Sequence, residues 1–276
     1  MAEHEVLDGL KEKIIGFLKG EKKVGLVLGG GAARGIAHVG VLKVLIENNV
    51  PIHMIAGTSS GALFGSLYAG GLSITTMEAA ARRSGWNRLV RLAITRRGAV
   101  SGESMVKLVE ESIGRRTFSD LAIPFAAVAC DLRTGERIVL RQGDVAHAVH
   151  ASSAIPGVFI PVLIEGRHLS DGMVCDNVPV DVAREMGADF IIAVDVIPKV
   201  VLDKDPDNVV EVVERALDIG VKISSKPIMS QADILIEPVI KNLSPFALNH
   251  ADELINMGVE AANAVIPEIK RKLRLG

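Results

Sequence analysis

Short runs of apolar residues alternate along the chain with segments in which apolar residues recur every three or four positions. The runs predict β-strands at 24–28, 52–57, 125–130, 137–140, 190–196 and 233–238. The helical spacing predicts helices near 41–46, 60–70, 103–114, 143–151, 178–187, 208–225 and 251–274. Because strands that alternate with helices form parallel sheets covered on both faces, the pattern predicts a single α/β domain with a mainly parallel central sheet flanked by helices.

The amino-terminal segment has a helical pattern of its own. Apolar side chains fall at helical spacing between Val6 and Leu18, with charged residues between them. We interpret residues 1–22 as an amphipathic helix. The mixed charges favour a helix docked on the core over one lying on a membrane surface. Residues 23–276 then form the α/β domain.

Composition narrows the classes of protein that this chain can represent. An apolar content of 49% with 23% charged residues excludes intrinsic disorder, and a net charge of -2 gives no basic field for nucleic acid. Cys130 and Cys175 are too few for a disulfide framework or a cysteine-rich zinc site, which favours a reducing, cytoplasmic compartment. No apolar run is long enough to span a membrane, and the acidic amino terminus does not resemble a secretory signal.

Gly29, Gly30 and Gly31 follow the first predicted strand and open a helix. Such a loop presents backbone N–H groups to a phosphate or to a developing oxyanion. A dinucleotide-binding loop would need its third glycine one position before Gly35 and an acidic residue at the end of the second strand, where Gly57 stands. A P-loop would need Lys-Ser/Thr after its last glycine. Both nucleotide interpretations fail, which favours an oxyanion site.

Residues 57–61 have the sequence GTSSG, which matches the G-x-S-x-G pattern of a serine nucleophile. The motif lies between a predicted strand and a predicted helix, as that pattern requires. Glycines at both ends permit a sharp turn that projects the Ser59 hydroxyl away from the backbone. The alternative is a structural turn with a helix-capping serine.

A serine nucleophile needs a base, and the sequence offers two kinds. His250 has the late position expected in a Ser–acid–His order. Asp171, followed by Gly172, could act directly as the base, although an Asp-Gly pair is also an ordinary turn former. The rival aspartates are Asp131, Asp176 and Asp195. We expect His147 and His150, three apart on a predicted helix, to have a surface role rather than to bind metal.

Four blocks of sequence together resemble the patatin-like phospholipase family, in its bacterial branch of small cytoplasmic proteins. They are GGGAARGIAHVGVLKVL at 29–45, GTSSG at 57–61, ASSAIPGVFIPV at 151–162 and SDGMVCDNVPV at 170–180. The resemblance implies hydrolysis of lipid carboxylic esters, in phospholipids or lysophospholipids, through an acyl-serine intermediate. No cofactor or metal is expected, because protein groups supply the nucleophile, the base and the oxyanion donors.

The resemblance also implies roles for particular residues. Ser59 and Asp171 match the family's serine–aspartate dyad, which works without histidine. The positions that match its oxyanion-hole loop are Gly29, Gly30, Gly31, Arg34 and Gly35. Met173 departs from the family pattern, since glycine or alanine usually occupies that position, and a larger side chain there could alter acyl selectivity.

An arginine-rich segment at 82–97 raises the question of membrane contact. It contains the single tryptophan, Trp86, and six arginines, namely Arg82, Arg83, Arg88, Arg91, Arg96 and Arg97. The segment could meet anionic lipid headgroups or form a solvated helix face. We expect a lipid ester as substrate, a cytoplasmic location with peripheral membrane contact, and no nucleic acid partner. Two alternatives stay open: a histidine-dependent esterase and a non-catalytic lipid-binding or regulatory protein.

Overall fold

The computed structural model describes residues 22–82, 102–198, 205–240, 243 and 249–275. Two expectations fall almost entirely outside these ranges. The amino-terminal helix at 1–22 is one, and the arginine-rich segment beyond Arg82 is the other.

The described residues form eight strands and eight α-helices. The strands are β1 Val24–Leu28, β2 Met54–Thr58, β3 Phe125–Asp131, β4 Arg137–Leu140, β5 Val162–Ile164, β6 Arg167–Asp171, β7 Phe190–Val194 and β8 Ile234–Ile236. The helices are α1 Ala37–Glu47, α2 Ser60–Ala69, α3 Ile74–Arg82, α4 Glu103–Ile113, α5 Val145–Ser152, α6 Val180–Glu185, α7 Val209–Met229 and α8 Ala251–Leu273. Short 3₁₀ turns cover Ala32–Ile36, Phe118–Asp120 and Gly172–Val174.

All eight strands belong to one mixed sheet. Strands β8, β7, β1, β2 and β3 lie side by side and are parallel, whereas β4 and β6 pair with β3 in the antiparallel sense and β5 continues from β6. The helices between the parallel strands cover both faces. This arrangement confirms the predicted fold class, a single α/β domain with a mainly parallel central sheet.

Strand β3 brings β2 and β6 together. Val128 pairs with β4 and with Thr58 at the end of β2, and Ala129 pairs with β4 and with Asp171 at the end of β6. A strand has only two edges, so β4 occupies one of them and β2 and β6 share the other. Strands β2 and β6 therefore meet end to end, at adjacent residues of β3.

The central strands are buried on both faces, which explains their continuous apolar runs. In β1, Leu26 and Leu28 join the larger core with α1, α2 and α8, while Val27 joins a smaller core with α6 and α7. Helices α1 and α8 pack so closely that a Cβ at Gly40 or Gly258 would overlap the backbone of the other helix. Glycine at these two positions therefore permits the contact. Among the described helices, none combines the length and apolarity needed to cross a bilayer.

The differences from the sequence prediction have local causes. Helix α3 and strand β5 were not predicted, and β5 is only three residues long beside Pro161. The prediction of a surface role for both histidines of α5 is wrong for one of them. His147 is exposed and bonds to Asp144. His150 is buried against Phe159, because it lies on the side of α5 that packs inward.

Candidate active site

The nucleophile elbow lies between β2 and α2. Ser59 has φ 53° and ψ -123°, a left-handed conformation that costs a non-glycine residue roughly 1–3 kcal/mol. The flanking glycines make the turn sterically feasible. A Cβ at Gly57 would lie 2.6 Å from the Gly61 carbonyl oxygen, and a Cβ at Gly61 would overlap the Leu28 carbonyl. The glycines of the G-x-S-x-G motif are therefore required by close backbone approach.

Ser59 and Asp171, 112 positions apart in sequence, are hydrogen-bonded. The Ser59 hydroxyl donates to Asp171 Oδ2 at 2.6 Å. The other carboxylate oxygen, Oδ1, accepts the N–H of Met173 at 2.9 Å. Ser59 and Asp171 are 3% and 0% exposed. The head-to-head meeting of β2 and β6 on β3 places these two side chains together.

The environment of Asp171 favours its protonated form more than water does. Burial raises its pKa to about 7, while the hydrogen bonds from the Ser59 hydroxyl and the Met173 N–H oppose the rise. No cation pairs with Asp171 among the described residues. A carboxylate that titrates near neutrality is matched to general base catalysis.

Each rival aspartate is paired with a cation. Arg167 lies 2.9 Å from Asp131. Arg137 lies 2.8 Å from Asp176. Lys222 lies 2.6 Å from Asp195. Asp131 and Asp195 are nearly as buried as Asp171, so the cationic partner, rather than residue type, separates Asp171 from its rivals.

His250 is not part of this arrangement. It lies at the amino end of α8, where its ring pairs with Glu253 at 2.9 Å, and it makes no hydrogen bond with Ser59 or Asp171. The geometry therefore supplies Ser59 with a carboxylate and not with an imidazole. Among the described residues, no group of three potential ligands could hold a metal ion.

The glycine loop packs against the elbow, and a Cβ at Gly30 would lie 2.9 Å from Ser59 Cβ. The N–H of Gly29 donates to Val194 O at 2.9 Å, which extends the pairing of β1 with β7. The N–H of Gly30 faces Asn177, whose main-chain and side-chain oxygens lie at 3.3 and 3.2 Å. The N–H of Gly31 donates to no acceptor in the described part of the chain.

Two side chains that the sequence analysis did not single out support this loop. The Asn177 carboxamide contacts Gly30 twice, since its Nδ2 also donates to Gly30 O at 3.3 Å. His38 Nε2 donates to Gly29 O at 2.8 Å, and burial lowers the His38 pKa to about 4. His38 is therefore neutral, carries its proton on Nε2 and holds the Gly29 carbonyl in place.

Arg34 and Gly35 support the loop in a different way. The Arg34 guanidinium pairs with Asp218 of α7 at 2.8 Å, and its Nε donates to Leu243 O at 3.1 Å. A Cβ at Gly35 would overlap the side chain of Ser60. Arg34 thus anchors the loop to α7, and Gly35 lets the loop approach the start of α2.

Met173 and Ser152 complete the surroundings of the dyad. Met173 contributes its backbone N–H to Asp171, a contact that any residue except proline could make. Ser152, the last residue of α5, accepts the Ser59 N–H at 2.9 Å and donates to Val128 O at 2.6 Å. Ser152 lies within a sequence block quoted above, but nothing in the pattern indicates that it contacts Ser59.

A serine on a strand–helix elbow, bonded to a buried aspartate beside a glycine loop, is a site of the serine-hydrolase type on an α/β fold. The family model for patatin-like phospholipases matches residues 26–184, more than half of the chain. The chain belongs to the patatin-like phospholipase family, which confirms the resemblance inferred from the sequence.

Individual relatives agree with this membership. A patatin-like phospholipase domain-containing protein of Caenorhabditis elegans is 36% identical over 182 residues, which are 63% of this chain and 13% of that protein. A lysophospholipase of Aspergillus fumigatus is 35% identical over 181 residues, again 63% of this chain and 12% of that protein. The chain spans between 12% and 48% of the length of the curated relatives that it matches.

A solved structure supports the fold. The crystal structure of VipD from Legionella pneumophila superposes with a TM-score of 0.60 at 14% sequence identity. The match covers 90% of this chain and 67% of VipD. The shared architecture is therefore the α/β domain as a whole.

Proposed function

We propose that this protein hydrolyses carboxylic esters of lipids, in phospholipids or lysophospholipids, with Ser59 as nucleophile and Asp171 as base. The observation that carries the proposal is the 2.6 Å hydrogen bond between the Ser59 hydroxyl and a buried carboxylate that has no cationic partner among the described residues. Family membership and the lysophospholipase among the relatives support the substrate class.

The reaction proceeds in two stages. Asp171 accepts the proton of Ser59 as the oxygen attacks the ester carbonyl, and the protonated Asp171 then passes that proton to the departing alcohol. This leaves an acyl-serine. In the second stage, Asp171 takes a proton from water, which attacks the acyl-serine, and Ser59 recovers its proton as the fatty acid leaves. A pKa of about 7 allows Asp171 to give and to accept a proton at neutral pH.

The tetrahedral intermediate needs hydrogen-bond donors that are not already engaged. The N–H groups of Gly29 and Gly30 are engaged with Val194 and Asn177. Within the predicted loop, we therefore assign the oxyanion contact to the Gly31 N–H. Removing one such donor typically costs about 3 kcal/mol of transition-state stabilisation. In this proposal Arg34 and Gly35 hold the loop in place rather than touching the substrate.

Activity-based labelling tests this function. The purified protein would be treated with a fluorophosphonate probe and assayed against phosphatidylcholine and lysophosphatidylcholine, alongside Ser59→Ala and Ser60→Ala. We expect the wild type and Ser60→Ala to label and to release fatty acid, and Ser59→Ala to do neither. Ser60 is the matched control, because its hydroxyl neighbours Ser59 and forms no hydrogen bond among the described residues. A folded wild type that does not label would favour a non-catalytic lipid-binding protein.

We further propose a cytoplasmic protein that touches anionic membranes through the arginine-rich segment at 82–97. Arg82 itself pairs with Asp252 at 2.6 Å. In this proposal the arginines that follow it therefore contact the lipid headgroups. Flotation with anionic and with neutral vesicles tests this idea. We expect binding to anionic vesicles that Arg88→Gln and Arg91→Gln weaken, and equal binding to both vesicle types would contradict it.

A further inference from the structure

We propose that Ser152 is a positioning residue that holds the backbone of Ser59 in its reactive conformation. This inference rests on the proposed function, because it concerns the efficiency of the same nucleophile. It adds a residue outside the dyad and outside the glycine loop.

The hydroxyl of Ser152 is committed at both of its ends. It is fully buried, it donates its single hydrogen to Val128 O at 2.6 Å, and it accepts the Ser59 N–H at 2.9 Å. A hydroxyl has one hydrogen, so donation to Val128 leaves only its lone pairs for Ser59. The direction of both hydrogen bonds is therefore fixed, and Ser152 cannot rotate away without losing one of them.

The two contacts of Ser59 lead to adjacent residues of the same strand. Its N–H is tied through Ser152 to Val128 of β3, and its hydroxyl is bonded to Asp171, which pairs with Ala129 of β3. The backbone and the side chain of the nucleophile are thus both positioned by the same strand, β3. Residues held in this way keep the geometry that catalysis requires.

The backbone of Ser59 is strained, and we infer that the hydrogen bond from Ser152 opposes its relaxation. Ser59 has φ 53°, and such a conformation persists only where the surroundings hold it. Without the Ser152 hydroxyl, a buried N–H and a buried carbonyl would both lose a partner. Relaxation of the turn would then carry the Ser59 hydroxyl away from its 2.6 Å contact with Asp171.

The hydrogen bond between Ser152 and Ser59 also determines which backbone N–H groups are available to the substrate. Because the Ser59 N–H is bonded to Ser152, the nucleophile's own amide is not available to an oxyanion. This leaves stabilisation of the intermediate to donors outside residue 59, in agreement with the assignment of the Gly31 N–H.

The test compares Ser152→Ala with Ser66→Ala. Ser66 is equally buried and its hydroxyl also bonds to a backbone carbonyl, Leu63 O at 2.8 Å, but within α2 and away from the elbow. Ser152→Cys is the second variant, since a thiol keeps most of the volume and hydrogen-bonds weakly. For each protein, kcat and KM for a soluble short-chain ester, the rate constant of fluorophosphonate labelling and Tm would be measured.

We expect Ser152→Ala and Ser152→Cys to lower kcat and the labelling rate constant by about 10- to 100-fold with little change in KM, as a displaced reacting group does. Ser66→Ala should lose Tm without losing kcat. Unchanged kcat in both Ser152 variants would overturn the proposal, and so would losses in all three variants that simply follow Tm. Failure of the proposed function itself looks different, because Ser59→Ala would then hydrolyse the ester as well as the wild type does.

Discussion

Two buried aspartates of this protein share a local structure and differ in one partner. Asp171 ends β6 and Asp195 follows β7, and they are 0% and 1% exposed. In each, one carboxylate oxygen accepts the N–H two residues further along, at 2.9 Å from Met173 and 3.0 Å from Ile197. The backbone thus prepares both carboxylates in the same way.

The second oxygen decides what each aspartate can do. In Asp171 it accepts the hydroxyl of Ser59, whereas in Asp195 it contacts the ammonium of Lys222 at 2.6 Å, which also binds Glu237 at 2.7 Å. Burial raises the pKa of both aspartates, and for Asp195 the charge of Lys222 opposes that rise. A buried carboxylate facing a neutral hydroxyl can take its proton, while one facing an ammonium holds two parts of the fold together.

Exchange of each carboxylate for an amide should separate the two roles most sharply. We expect Asp171→Asn to lower kcat/KM for ester hydrolysis by about 10²- to 10⁴-fold, because a neutral amide cannot accept the proton of Ser59. Asp195→Asn should keep most of the activity at temperatures where it is folded. Steady-state kinetics on both variants checks this, and equal losses would erase the distinction between the two aspartates.

Removal of the lysine should act on stability instead. We expect Lys222→Met to lower the free energy of unfolding by about 3–5 kcal/mol, because Asp195 and Glu237 would remain without their shared cation. Urea denaturation measures the change. Lys226→Met is the control, since this exposed lysine of the same helix has no ionic partner among the described residues. Similar stability losses in the two variants would argue against a special role for the buried pair.

The titration of Asp171 should make the free energy of unfolding depend on pH, with a smaller change per pH unit than the loss expected for Lys222→Met. Its pKa in the folded protein, about 7, lies above its value in the unfolded chain, so its stabilising contribution is complete below the unfolded pKa and is lost as pH rises through 7. Relative to Asp171→Asn, the free energy of unfolding of the wild type should fall by at most roughly 1.4 kcal/mol per pH unit between the unfolded pKa and pH 7.

Over the same range, kcat/KM of the wild type should rise as the carboxylate forms. Denaturation and kinetics at pH 5, 6, 7 and 8 provide both readouts. A stability difference that stays constant with pH would mean that Asp171 is not held with a raised pKa.

The sequence predicted most of the fold because its signals are local. Apolar runs marked β1, β3, β4, β7 and β8, and helical spacing marked α4 to α8 within a few residues. The β5–β6 hairpin was only partly visible. Its first strand is apolar but has only three residues next to Pro161, and its second begins with Arg167 and His168, which leaves a very short apolar run before Asp171.

The site was predictable only as far as its motifs. The sequence indicates Ser59 and Asp171 by residue type and context, and the distance between them depends on pairing of both strands with β3. Ser152, Asn177 and His38 were missed because they bind backbone atoms, at Ser59, Gly30 and Gly29, and the sequence pattern does not show which side chain will bind a given backbone atom. The engagement of the Gly29 N–H likewise depends on pairing with β7.

The shared edge of β3 has a consequence for how this site can change. Thr58 and Asp171 are opposite consecutive residues, Val128 and Ala129, which are separated by about 3.3 Å along the strand. One inserted or deleted residue at that point would widen or close the gap between proton donor and acceptor and would turn one of them to the wrong side of the sheet. The spacing of residues along β3 therefore fixes the separation of the two side chains, and an insertion is compatible with the reaction only away from this junction and from the glycine loop that packs on Ser59.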